Sequence, residues 1–299
     1  MNAQLVLEMH RINTRKTNRQ ASGVAARQLS SMAAAVALGV LCVQADVLLL
    51  APVWLCAIVF IGTRFRAINN MSHECGHHAF AASRRVNDAF GHLFALLELS
   101  AFRRISAEHQ THHRFLGDYA RDLDFARLER FAFHEPIGRA RIIGHVRDAV
   151  ILRHLGVYFF CVLSDPHEPG WARCLRTALL LGVVTATIAF PVEAGLFVLV
   201  PFIYAYQIDK YLMDYIDHGG LLRESSPVRM TRNVIVRNRV LRELFFPRTD
   251  CYHLVHHLFP FLSVEVLPAA HALLMEHCPG YADIEHAWAG QFARYWARP

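Results

Sequence analysis

The sequence predicts an all-α integral membrane protein: four transmembrane helices in two hairpins, with interfacial helices and a cytosolic helical cap. Three observations predict it. Of the 299 residues, 54% are hydrophobic and only 19% charged, against ~25% charged in a typical soluble domain, and mean hydropathy is +0.23. Apolar residues gather into paired runs parted by short breaks. Basic residues avoid those breaks and crowd the other loops, as the positive-inside rule requires. Net charge is +6 and is carried almost wholly by arginine, with lysine only at 16 and 210. No basic stripe alternates with exposed aromatics, so nucleic acid is the weaker partner.

In chain order, Met1 to Gln28 is polar and lacks the apolar core and small-residue cleavage site of a signal peptide. Residues 1–24 are expected to be a flexible cytosolic tail of one domain covering 1–299. The first apolar run is Leu29 to Val43. Gln44-Ala45-Asp46 breaks it, and Val47 to Gly62 follows. A hairpin is favoured, because one continuous helix would set Asp46 near mid-membrane at a cost of a few kcal/mol. Each run reaches the ~20 residues of a span once extended, the first back through Ala25 and the second on to Ile68. Ala89 to Phe102 is too short to span and reads as re-entrant or interfacial. Residues 114–150 are polar and arginine-rich, hence cytoplasmic. Val150 to Leu163, interrupted by Arg153 and His154, reads as interfacial.

The second hairpin runs from Leu175 to Phe190, turns at Pro191-Val192-Glu193 and returns from Ala194 to Tyr206. Its return continues through Gln207, Asp209, Lys210 and Asp214 to His218, where Gly219-Gly220 stops it. Those polar residues must face protein, not lipid. Residues 221–250 are again arginine-rich, and the remainder reads as an amphipathic cap. Both termini and every histidine cluster then lie on the cytoplasmic side of what is expected to be a bacterial inner membrane. Seven cysteines, at 42, 56, 75, 161, 174, 251 and 278, show no regular spacing, which argues against a disulfide framework.

The chemistry lies in the histidines. There are 19, and they cluster at His73, His77 and His78, at His109, His112 and His113, and at His253, His256 and His257. On a helix, positions i, i+3 and i+4 share a face, so each H-x-x-H-H is expected to aim three imidazoles at one point. One ion cannot use so many nitrogens; two can. Neutral imidazole suits iron, zinc, copper and nickel. His218 joins the ligand candidates, because Asp214 at i−4 points to the same mouth, as a ligand itself or, in the favoured readings, through water or as an anchor that fixes a ring tautomer. His78, about 100° round from His77, reads equally as a ligand or as a histidine that only supports or neighbours the ligands. Asp118, Asp122 and Asp124 either pair with arginines or hydrogen-bond ligand imidazoles. His92, His134, His145, His154, His167, His271, His277 and His286 read as ordinary surface or interfacial residues.

Two other readings compete. His73-Glu74-Cys75-Gly76-His77 spells H-E-x-x-H, the zinc-protease signature, which would make Glu74 the base of a membrane zinc metalloprotease. That leaves both H-x-x-H-H boxes unexplained. A ferritin-like carboxylate site needs two Glu-x-x-His motifs and two further glutamates, and only Glu74-x-x-His77 is present.

HECGHHAF at 73–80, HQTHHRFLGD at 109–118, DYIDHGG at 214–220, TRN at 231–233 and YHLVHHLFP at 252–260 together resemble the integral-membrane fatty acid desaturase and hydroxylase superfamily, from about Asn70 to Pro268. The resemblance implies a mushroom of four spans under a cap holding a histidine-rich dimetal site. It implies nine ligands: His73, His77, His109, His112, His113, His218, His253, His256 and His257. Asp214 resembles the family's water-mediated contact, whereas His78 stands where the family often has a small residue. The implied cofactors are two Fe, whose place Zn can take in a structure, with O2 as co-substrate. An unactivated C–H bond needs a redox-active metal, and zinc has no redox chemistry. The expected activity is O2-dependent desaturation of a fatty acyl or lipid chain drawn from the bilayer, with hydroxylation of a lipid or specialised-metabolite chain as the alternative. No HPGG haem motif occurs, so electrons are expected from a separate ferredoxin or similar donor with its reductase. The arginine-rich face would attract such an acidic partner, or else reflects topology and anionic lipid.

Overall fold

The computed structural model describes residues 3–13, 16–159, 162–284 and 286–298. Cys161 and the middle of the Val150 to Leu163 stretch lie outside them. Among the described residues the fold is all-α, with one isolated β-bridge between Ile235 and Ala287. Four helices are long and apolar enough to cross a membrane. They are α2 (Asn18–Gln44), α3 (Ala51–Gly76) with its lead-in from Leu48, α8 (Gly170–Ala189), and the continuous segment Pro191–His218. The last begins with α9 (Pro191–Ala194), passes through π-helical turns and ends as α10 (Gln207–His218). Pro201 has no N–H to give the helical ladder, and the π turns lie on either side of it. Leu49 (87% exposed) and Ile188 (78%) belong to an apolar surface that a bilayer would cover.

Both N-terminal spans outrun their apolar stretches. Helix α2 starts early because Thr17 and Gln20 form a reciprocal capping box. Helix α3 runs on to Gly76 because its last turns are polar yet buried and paired. Arg66 donates to Asp250 at 2.5 Å, Asn70 donates to Asp250 at 2.8 Å, and Glu74 binds Lys16 and Arg248 at 2.6 and 2.5 Å. Gly62 lets α3 meet the returning span: a Cβ there would lie 2.5 Å from that of Ala205.

Where a flexible tail is expected, Ala3–Ile12 forms α1. Leu5 and Met9 are buried with Leu267, Ala270 and Leu274 of α13 (Leu267–His277), and Lys16 is drawn in by Glu74. Burial of its apolar stripe orders the segment. The stretch expected as one interfacial helix is two, α4 (Arg84–Leu97) and α5 (Phe102–Phe115), with Leu99 left-handed at the bend between them. Arg176 of α8 fixes that bend by donating to Ser100 O at 2.6 Å and pairing with buried Glu168. Then come α6 (Arg139–Val150), α7 (Leu155–Tyr158), α11 (Arg239–Phe245), α12 (His253–Leu258), α14 (Pro279–Ala282) and α15 (Trp288–Trp296). His92, His145 and His154 are buried, not superficial. His145 Nδ1 meets Tyr211 OH at 2.6 Å and His154 Nε2 donates to Gln207 O at 2.9 Å, satisfying groups that burial would otherwise strand.

Candidate metal centre

Each box rides on a helix, or a helix end, steered from elsewhere in the chain. The first lies on the last turn of α3, held by the pairs of Asn70 and Glu74. The second ends α5. The third is α12, whose orphan N-terminal amides are satisfied from a distance: Leu254 N donates to Asn233 Oδ1 at 3.0 Å. Asn233 belongs to the TRN motif and donates to Tyr281 OH at 2.7 Å, so it locks α12 to the cap.

These supports bring nine histidines into two contiguous groups. One holds His73, His77, His109, His113 and His256; the other holds His112, His218, His253 and His257, and within each the candidate ligand atoms lie within 4.8 Å of one another. The groups adjoin, since the His113 and His257 rings stack with centroids 4.4 Å apart. The expectation that each H-x-x-H-H aims at one point is therefore wrong. Each box is split, with His112 parted from His109 and His113, and His256 parted from His253 and His257. Helix geometry gives the reason. At ~100° per residue, i and i+4 lie about 40° apart, whereas i+3 and i+4 lie about 100° apart. The middle histidine is the one turned aside.

The nitrogen geometry fits metal. His73 Nε2 and His109 Nε2 lie 2.6 Å apart, His109 and His113 2.9 Å, and His113 and His256 3.0 Å. In the second group, His218 to His253 is 2.9 Å and His253 to His257 3.1 Å. Adjacent ligands ~2.1 Å from a shared ion stand about 3 Å apart. Outer partners settle which nitrogen is bare. His109 Nδ1–H donates to Asp124 at 3.0 Å, His112 Nδ1–H to Asp122 at 2.8 Å, and His218 Nδ1–H to Met230 O at 3.3 Å. Each leaves its Nε2 as a lone pair facing other imidazoles. His77 Nε2 is buried with no hydrogen-bond partner. Lone pairs turned on one another in a buried space call for a cation.

Electrostatics keep the donors neutral. Burial, then the charges of His78 and His112, lowers His77 to about 4. Burial and neighbouring imidazoles hold His109, His113, His253, His256 and His257 well below the usual histidine range. His112 is raised instead: against the downward push of burial, the hydrogen bond and charge of Asp122, with the charges of Asp124 and Asp214, prevail together.

Other candidates fall elsewhere. His78 has φ +53°, is half-exposed and meets Asp88 at 3.4 Å, outside both groups. Asp214 pairs with Lys210 at 3.2 Å. The acid nearest the third box is Asp217, 3.8 Å from His253 Nδ1, which the sequence reading missed; its place one residue before His218 was the available signal. Asp118 turns to Arg121. Glu74 faces away from the histidines into a buried cluster with Lys16, Arg248 and Ser263, so it is not poised as a zinc-protease base. A cavity of about 170 Å3 opens against His73, His109, His112, His218 and His253.

The family model for fatty acid desaturases matches residues 48–288. The dihydrorhizobitoxine desaturase of Bradyrhizobium elkanii is 25% identical over 273 residues, 80% of this chain and 72% of that protein. The sn-1 acyl-lipid omega-3 desaturase (ferredoxin) of Nostoc sp. (strain 36) is 34% identical over 139 residues, 41% of this chain and 37% of the relative. The sn-1 oleoyl-lipid 12-desaturase of Anabaena variabilis is 36% identical over 69 residues, 22% and 20% of the two chains. With a family match across most of its length and the histidine clusters inside it, this chain belongs to the fatty acid desaturase family.

Proposed function

We propose that this chain is a membrane-bound, O2-dependent di-iron desaturase. One iron would be held among His73, His77, His109, His113 and His256, the other among His112, His218, His253 and His257. The observation that carries the reading is the set of imidazole nitrogens facing one another 2.6–3.1 Å apart in two touching groups. Two irons there would supply the O2-dependent oxidising power needed to remove hydrogen from an unactivated C–H bond. The chain's own residues do the rest. Asp122 and Asp124 fix the tautomer of His112 and His109, buried packing limits water at the site, and the adjoining cavity positions the reacting carbons. Desaturation is preferred to hydroxylation because the relatives reported above are all named desaturases.

The same reading sets the four spans as two hairpins in a bacterial inner membrane, with both termini and the metal centre cytoplasmic. Electrons would come from a separate ferredoxin-like donor, in keeping with the name of the Nostoc relative. Two substrate classes follow from the relatives' names, an acyl-lipid chain and a specialised metabolite. The charged and polar side chains that share the lining of the cavity against the histidines favour the second.

The test is metal analysis of the purified full chain, followed by product mass spectrometry with O2, reduced ferredoxin and its reductase. About two irons per chain, lost in His113→Ala, are expected, with a product two mass units lighter than the substrate. A single zinc with proteolytic activity would refute the reading.

A further inference from the structure

Two cavities flank α10 on different faces. On the face of Ile208, Leu212 and Ile216, a cavity of about 430 Å3 is lined chiefly by apolar side chains, and none of the nine clustered histidines borders it. On the face of Gln207, Lys210 and Asp214 lies the 170 Å3 cavity that does border them. The larger, apolar space is thus not the space against the histidines.

Five carboxylates line the smaller cavity: Glu98, Glu108, Asp124, Asp214 and Asp250. Four have ionic or imidazole partners, namely Arg104, His109, Lys210 and Arg66 in turn. Glu98 differs. Its Oε2 accepts from the neutral groups Asn69 Nδ2 at 2.8 Å and Tyr206 OH at 3.1 Å, and its Oε1 is buried with no partner. Gln207, 2% exposed, also leaves its Oε1 buried and unpartnered on this cavity. No cation touches Glu98, although Arg66 and Lys210 of the same cavity act on it through space, and Arg66 Nε, Ser72 Oγ and Tyr158 OH are also bare there. The two bare acceptors still call for a hydrogen-bond donor of their own.

We propose that the molecule oxidised at this centre is a small amine whose ammonium group is held by Glu98 and Gln207 while its carbon chain extends toward the histidines. The inference rests on the desaturase reading for the reaction, not for the seat. Burial pushes the Glu98 carboxyl up to about 7 against the pull of Asn69, Tyr206, Lys210 and Arg66, and a bound ammonium would hold it ionised.

The test is calorimetric titration of the full-length, iron-loaded chain in lipid nanodiscs with n-hexylammonium chloride and, in parallel, sodium hexanoate. Hexylammonium is expected to bind more tightly than hexanoate and to weaken about 10–100-fold in Glu98→Gln, the range expected for one charge-assisted hydrogen bond. Its affinity for the unaltered chain should rise as pH passes upward through about 7, and that rise should vanish in the variant. Gln207→Leu supplies a second arm should Glu98→Gln not fold, with weaker amine binding expected. Hexanoate binding at least as well as hexylammonium, or amine binding indifferent to both substitutions, would overturn the proposal. Iron analysis of the same samples separates the two readings. Amine binding that depends on Glu98 without two irons sinks only the desaturase reading, whereas two irons with indifferent binding sinks only this one.

Discussion

Replacing Glu74 divides a structural acid from a catalytic one. Its side chain is 1% exposed, and its two oxygens hold Lys16 at 2.6 Å and Arg248 at 2.5 Å while Ser263 Oγ and Val264 N donate to Oε1. Glu74→Ala would strand two cations that are only 7% and 3% exposed. Breaking a buried pair typically costs about 3–5 kcal/mol. Some of this is recovered here, because Glu265 also reaches Lys16 at 2.6 Å and Arg248 at 3.1 Å. A net loss of about 3 kcal/mol is expected for Ala and less for Gln, which keeps an acceptor. The assay is thermal unfolding of the detergent-purified chain at matched scan rate, with metal content measured alongside. Glu74→Gln should unfold at lower temperature yet retain its iron, whereas His112→Ala should lose iron without a comparable fall in stability. Pairing Glu74→Gln with Lys16→Met should recover part of the loss, since neither charge is then orphaned. Unchanged stability in Glu74→Ala, or loss of metal in Glu74→Gln at full stability, would refute the reasoning.

Two further outcomes are expected. Asp122→Asn should weaken iron binding about 10–100-fold, as read by competition with a chelator, because His112 loses the carboxylate that fixes its ring. The metal-free chain should lose stability in acid in two windows. Apart from His112, whose value is raised, the clustered histidines outside the spans have lowered values, His77 near 4, so the unfolded chain takes up protons first as pH falls from about 6.5 to 4. Against the upward push of burial, Arg248 and Lys16 hold Glu265 down at about 2, so its contribution, complete above about pH 4.5, disappears as pH falls toward 2. Unfolding midpoints measured from pH 7 to 3 should therefore fall throughout, and Glu265→Gln should flatten the lower window.

Much of this protein was legible without coordinates. Four apolar runs, the arginine bias of the loops, and histidines at i, i+3 and i+4 follow from composition and local periodicity, which need no distant contact. Even so, α3 continues past Ile68 because partners nearly 180 positions away, Arg248 and Asp250, neutralise its polar last turns. Local patterning cannot register such partners. Residues 3–12 and His145 were misjudged for the same reason: each is ordered by a surface that another part of the chain supplies.

The sequence by itself determined which side chains can bind metal, because residue type and helical angle within a box are local properties. Only the tertiary structure decided how they are shared. Helix geometry turns His112 and His256 away from their neighbours, but the packing of α3, α5, α10 and α12 determines which group receives each of them. It also decided that Glu74 joins a buried ion cluster, that Asp217 stands behind His253, and that charged side chains share the lining of the cavity against the histidines. Each of these depends on distances between segments far apart in the chain, and no local rule of helix formation fixes those distances.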